Sequence, residues 1–399
     1  YLSTNLIFYQ TNQQNEDNKT TPTVLPSISY YTGSDKIKGY QLSQTFQFYN
    51  IFRDKNTDIH AQSQQKISQQ IELEKSVIKY NSKISLKSEF YNQLFNTNNK
   101  LIQSDEFQSG NMYRFFPILG INIETPFKLN NDKLGLIFKP YSQIVVSPGK
   151  SNSNKISNED SSNNTFSLEN FNSLNRYSGS DKMDNSKRIN YGIDVNNDKL
   201  KINLSQSYEL TENSNFHKEQ GNDNNLSDLL GSIKYENISS INYNFRYDFN
   251  DELLKEQNIN TFTETRIGSL SFSYLDLKSK ENNIITTDKE TLNYSFGSKK
   301  FYKFSKLDIS GLYDLKKEIN TEYLISYRYF DECFGINLNF SRKSYKEDNL
   351  NPQDVLTLMF SFKNVGSYTS TNLAVSETDK QDIRWESVGI DNQLFADYE

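Results

Sequence analysis

The sequence is short of the residues on which most recognisable chemistry depends. Its single cysteine, Cys333, excludes an internal disulfide. Its two histidines, His60 and His217, are too few for a His-rich metal site and read as solvated loop residues. No stretch approaches the roughly 20 apolar residues that a membrane-spanning helix requires, which excludes a helical membrane protein. Nucleotide-binding Gly-rich loops, Cys/His zinc spacings and Gly-x-Ser-x-Gly elements are absent as well. With 50 acidic residues in 399, a neighbouring pair such as Glu159-Asp160 is an ordinary loop feature before it is an acid–base pair. Neither catalysis nor a cofactor is expected. The net charge of −6 lacks the basic footprint of a phosphate-backbone binder, so nucleic acid is not an expected partner.

Apolar residues are also scarce, at 35%, and the mean hydropathy is −0.77. Those values would suit a disordered chain if the apolar residues were scattered. Instead the chain holds 26 Tyr and 27 Phe, a load of burial-seeking side chains that disordered segments lack. A transmembrane β-barrel reconciles the two facts. Alternate side chains of each strand face lipid and a polar lumen, so about half of them can be polar.

Period-2 alternation recurs over most of the length. In Ser240–Asn250, Ile241, Tyr243, Phe245, Tyr247 and Phe249 alternate with Asn242, Asn244, Arg246 and Asp248. The same pattern runs through Ile202–Leu210, Leu270–Tyr274, Leu292–Phe296, Tyr323–Tyr329, Phe334–Phe340 and Leu356–Phe362. A helix needs spacings of three and four, which these runs do not have. Short polar turns such as Asn196-Asn197-Asp198 alternate with long polar insertions, as short periplasmic turns and long outer loops do in bacterial barrels. The expected outer loops are 150–187, 211–225 and 96–112. The fold class is therefore an all-β, antiparallel transmembrane β-barrel, partial, with about 16 strands of roughly 10 residues. No linker divides the chain: 1–366 reads as barrel, and 367–399, which holds Trp385 among many charges, as a polar tail. Starting at Tyr1 without a leader, the sequence reads as a mature segment or a piece of a longer protein.

One insertion carries the candidate site. It contains Asn158, Glu159, Asp160, Ser161, Arg176, Gly179 and Asp181 and leads to Arg188. Folded into the lumen, Glu159, Asp160 and Asp181 would be set against Arg176 and Arg188, because charges inside a barrel are best held in pairs. On the surface, the same residues would only make turns.

The order of elements from Arg114 to Gly366 resembles the LptD family of lipopolysaccharide-assembly proteins. Lys139-Pro140-Tyr141-Ser142-Gln143 is followed by Asn158-Glu159-Asp160-Ser161 and by Arg176-Tyr177-Ser178-Gly179-Ser180-Asp181. Tyr329–Leu338 is similar to that family's cysteine-containing strand, and Leu356–Gly366 to its terminal strand. The resemblance implies several things: that Cys333 pairs with a periplasmic domain outside this chain; that Leu356, Leu358, Phe360 and Phe362 lie on one side of a lateral seam; that an LptE-like lipoprotein plugs the lumen; and that a periplasmic bridge delivers lipopolysaccharide to an N-terminal domain. The implied function is non-enzymatic insertion of lipopolysaccharide into the outer leaflet of the bacterial outer membrane. A porin or TonB-type uptake barrel is the alternative, and a soluble β-sandwich the next.

Overall fold

The computed structural model describes residues 1–9, 21–37, 39–53, 62–103, 106–129, 135–148, 152–161, 165–211, 213, 221–223, 225–281, 284–302, 304–344, 353–363, 366–371, 373–374 and 384–389. His60 and His217 fall outside these residues, as does most of 211–225. Among the described residues there is no helix long and apolar enough to cross a membrane. Among the described residues twenty strands have six or more residues, against the expected 16 or so. The ladders for which pairing is resolved are all antiparallel.

In chain order they begin with β1 Leu2–Phe8, β2 Thr23–Ile37, β3 Tyr40–Phe52, β4 Ser63–Lys79 and β5 Ser82–Gln103. Next come β6 Glu106–Glu124, β7 Ile137–Val146, β8 Lys187–Asn196, β9 Leu200–Glu209 and β10 Leu229–Glu236. Then follow β11 Ser239–Asp248, β12 Leu253–Glu264, β13 Gly268–Glu281, β14 Ile284–Ser298 and β15 Ser305–Asp314. The last are β16 Ile319–Phe330, β17 Phe334–Lys343, β18 Gln353–Phe362, β19 Gly366–Thr371 and β20 Arg384–Gly389. By contact the chain divides into two compact units. The first is Tyr1–Asn197 with Asn203–Gly231 and Asp248–Asn250; the second is Asp198–Ile202, Ser232–Tyr247 and Asp251–Glu399.

In the first unit the alternation is physical. Tyr91, Gln93, Phe95 and Thr97 of β5 and Arg114, Phe116 and Ile118 of β6 are buried, whereas Leu94, Tyr113, Phe115 and Leu119 on the opposite face are exposed. The opposite, apolar face suits lipid. The β4–β5 hairpin closes on Tyr80 and Asn81, both with positive φ (53° and 58°), as a two-residue turn matched to strand twist requires.

One expected loop is corrected. Within 96–112, residues 96–103 and 106–112 are strand rather than loop, because β5 and β6 stay paired out to Gln103 and Glu106. Their polar side chains misled the reading. A backbone ladder needs no apolar side chains, and here polar groups bond across it: Asn96 Nδ2 donates to Asn111 Oδ1 at 2.5 Å, and Ser109 Oγ accepts from Asn99 N at 2.9 Å.

In the second unit, β12 to β20 pair in sequence as a meander. Leu356, Leu358, Phe360 and Phe362 stand opposite Phe340, Leu338, Ile336 and Phe334 on one face, with Phe334 and Phe362 ring centroids 5.3 Å apart. β18 is not the final strand, however. The chain continues into β19 and β20, within what the sequence presents as a tail, because a backbone ladder extends without alternating side chains.

Candidate functional site

The described residues of the loop between β7 and β8, 147–148, 152–161 and 165–186, fold onto the buried face of the first unit. Its neck is closed by Ser147 N donating to Ser186 O at 3.0 Å. Inside, the two motif segments hold each other reciprocally. Asn158 Nδ2 donates to Ser161 O at 2.6 Å and shapes the first turn. Asp160 Oδ1 accepts from the N–H of Ser180 (3.0 Å) and of Asp181 (2.7 Å). In return Asp181 Oδ2 accepts from the N–H of Glu159 (2.8 Å) and of Asp160 (3.1 Å). Carboxylates that cap backbone donors in this way satisfy groups that water would otherwise have to reach. Gly179 has φ +73°, and a Cβ there would lie 2.3 Å from Asp160 O, so only glycine fits the clamp.

The strands then seize the clamp. Arg53, just past β3, holds Glu159 with two bonds of 3.0 and 2.9 Å. Lys66 Nζ of β4 lies 2.6 Å from Asp160 and 2.7 Å from Asp181. Tyr49 OH of β3 donates to Asp181 at 2.8 Å. Arg114 of β6 donates to Asp181 O at 2.8 Å and Ser180 O at 2.5 Å, with its guanidinium over the Phe95 ring. Gln64 of β4 exchanges two bonds with the Ser157 backbone, at 2.8 and 2.7 Å.

A second cluster anchors the return of the loop. Arg176 contacts Asp184 (2.6 Å) and Glu209 (2.5 Å), and Arg188 contacts Asp184 (3.0 Å). All four side chains are essentially inaccessible to solvent. Burial opposes the charge on Asp184, but Arg176 and Arg188 outweigh it and hold the carboxyl below the ordinary range. Burial likewise opposes Glu159 and Asp160, and their cations and hydrogen bonds hold both low. Burial, with the neighbouring charge of Asp160, pushes Asp181 up against the pull of Lys66.

The expected pairing of charges is thus present with different partners. Glu159, Asp160 and Asp181 pair with Arg53 and Lys66 rather than with Arg176 and Arg188, Arg114 holds the loop by its carbonyls, and Arg188 belongs to β8 rather than to the loop. The true partners lie on strands distant in sequence, so spacing could not name them. Apolar contact completes the seat: Leu174 and Met183 of the loop pack with Tyr91, Phe116, Ile118 and Val145. Gly120 makes room for Leu174, whose Cδ2 would be 2.5 Å from a Cβ at that position. Beside the clamp is an open polar cavity of about 550 Å³, lined among others by Gln47, Gln70, Lys87, Glu89, Asn172 and Ser180.

The family model for LptD, described as LPS transport system D, matches residues 1–319. The chain belongs to the LptD family. A comparison with curated proteins gave no match. Among solved structures, the siderophore receptor PirA from Acinetobacter baumannii is 9% identical, with a TM-score of 0.42, over 88% of this chain and 66% of that one. A mutant ferric enterobactin receptor, PfeA, from Pseudomonas aeruginosa is 9% identical, with a TM-score of 0.43, over 92% and 66%. A mutant Rh. blastica porin is 9% identical, with a TM-score of 0.27, over 65% and 86%. The chain thus spans about two thirds of the receptor chains it matches.

As an LptD-family protein it is an antiparallel outer-membrane β-barrel chain and resides in the bacterial outer membrane. Its motif residues Asn158–Ser161 and Gly179–Asp181 meet in one clamp. Tyr49, Arg53, Lys66, Arg114, Asp184 and Glu209 are the members that sequence reasoning missed. One signal was available: Phe115-Phe116-Pro117-Ile118-Leu119 is apolar on both faces of β6, which asks for cover on both. Cys333 stands apart, exposed and unpaired within this chain, in the turn between β16 and β17.

Proposed function

We propose that this chain supplies the barrel of an outer-membrane translocon that inserts lipopolysaccharide into the outer leaflet without covalent chemistry. The acyl chains leave sideways through a weakly paired seam while the saccharide passes through the lumen. Family membership over residues 1–319 is the observation that carries this reading. The charged loop supports it, because a polar occupant seated on the inner strand face obstructs a passive channel. Among the described residues β18 pairs with β17 over ten positions, with β19 over four and with Leu373–Ala374 over two, and the seam at Leu356, Leu358, Phe360 and Phe362 is proposed from family membership. A strand edge left weakly paired is a liability unless something passes there. An LptE-like lipoprotein in the lumen and a periplasmic lipopolysaccharide bridge are the proposed partners, with Cys333 as the disulfide link to a periplasmic domain.

Depletion of the full-length protein tests the reading. Lipopolysaccharide is expected to fall at the cell surface and accumulate inside. Unchanged surface lipopolysaccharide with reduced small-solute uptake replaces the translocon with a porin-type barrel.

A further inference from the structure

The first charge cluster is divided by origin. The cations that pair with its carboxylates, Arg53 and Lys66, come from the wall strands or their ends, and Arg114 of the wall donates to the loop carbonyls of Ser180 and Asp181. Every anion comes from the loop: Glu159, Asp160 and Asp181. The wall therefore offers a built basic site, and the loop fills it with carboxylates at Arg53 and Lys66 and with backbone carbonyls at Arg114. Lys66 is fully buried and Arg114 is 8% exposed, and both are steered by fixed neighbours: Tyr49 and Phe95 flank Lys66, and Gln93 accepts from two guanidinium nitrogens of Arg114 at 2.8 and 2.6 Å. A salt bridge whose only purpose was stability would be a poor choice here, because desolvating both partners cancels most of the gain. Buried cations on a wall that can be wetted have a use when the covering anions leave.

We propose that Arg53, Lys66 and Arg114 form an anion-binding site for phosphate or carboxylate groups borne on a saccharide, and that the loop occupies it as a built-in substitute for the ligand, with the carboxylates of Glu159, Asp160 and Asp181 on Arg53 and Lys66 and the carbonyls of Ser180 and Asp181 on Arg114. The idea rests on the translocon reading for its saccharide and on the geometry alone for its anion. The adjoining cavity of about 550 Å³ shares Gly179 and Ser180 with the clamp and is lined by amides and hydroxyls, which bond to sugar hydroxyls, together with Lys87 and the carboxylates Glu89 and Glu169. Ligand and loop then compete: an entering anion takes the wall cations, and the loop, its carboxylates rehydrated, swings clear. A permeating headgroup would thus open its own path, and the empty protein would stay shut. Differential affinity for the loop-out state is what drives such a shift.

The test uses the full-length protein in detergent, with folding verified by heat-modifiable gel mobility, and titrates orthophosphate and glucose 1-phosphate calorimetrically at constant ionic strength. The E159Q/D160N/D181N variant removes the substitute and keeps the wall. It should bind glucose 1-phosphate at least tenfold more tightly than the unaltered protein does. Adding K66Q and R114Q should abolish that gain. No gain, or a gain indifferent to K66Q and R114Q, overturns the anion site. Equal binding of orthophosphate and glucose 1-phosphate overturns the saccharide part. Because the readout is in vitro binding, it is independent of whether surface lipopolysaccharide falls on depletion.

Discussion

Gly179 shows how much a single residue can decide in this molecule. Its left-handed backbone places Ser180 and Asp181 N–H groups on Asp160, where any side chain would strike a carbonyl oxygen. Gly179→Ala is expected to cost the clamp about 1–3 kcal/mol in backbone strain, with more from the clash. Limited trypsin digestion at Lys182 should then cut the variant at protease levels that leave the unaltered protein whole. Arg176 is a buried cation serving two carboxylates, and Arg176→Ala abandons Asp184 and Glu209 in part. A loss of about 3–5 kcal/mol is expected, read from the guanidinium midpoint of unfolding. The loop carboxylates also set a pH window. Glu159, Asp160 and Asp184 have depressed pKa values when folded, so their stabilisation is present above the ordinary carboxylate range and is lost as pH falls through the folded values. Asp181, pushed up by burial and by the charge of Asp160, has the opposite sign and adds no stability that is lost as pH falls. Protease accessibility of the loop should therefore be flat down to about pH 4 and rise only below it. A rise already complete at pH 6 would count against these pairs as the fastening.

At the scale of elements, loop and strands are separable. The neck at Ser147 and Ser186 brings the ends of β7 and β8 together, and β7 pairs with β8 over ten positions without any help from the loop. Replacing 152–183 by a short glycine linker is expected to leave a heat-modifiable folded barrel. Cells carrying it should become more permeable to large polar antibiotics, measured as a fall in inhibitory concentration. A variant that no longer folds would mean that the loop is part of the core rather than a cover for the wall. Strand β6 is where the two elements depend on each other. Phe116 and Ile118 face the loop while Tyr113 and Phe115 face outward, so removing the loop exposes an apolar patch on an otherwise polar face.

For the whole molecule, the exposed thiol is the informative atom. Cys333 has no possible partner within a chain of one cysteine, and its turn leaves it accessible. In full-length protein taken from cells under alkylating conditions, Cys333 should be blocked to maleimide and become reactive only after reduction. Reactivity without reduction would remove the proposed disulfide to a periplasmic domain and leave a free thiol.

The sequence by itself determined the class of fold and marked out Asn158–Ser161 and Gly179–Asp181 as turn-forming segments, leaving open whether they lie in the lumen or on the surface. Side-chain alternation is a property of each strand alone, and Asn158–Ser161 and Gly179–Asp181 are local turns whose residue types carry their geometry. Strand extent was less legible, because polar side chains in β5 and β6 hide a ladder made by the backbone. The partners of the loop charges were decided only by the tertiary structure. Lys66 and Arg53 lie 94 and 106 residues from Asp160 and Glu159 respectively. A charge buried on a strand face pairs with whichever opposite charge the fold brings to it, and sequence distance has no part in that choice.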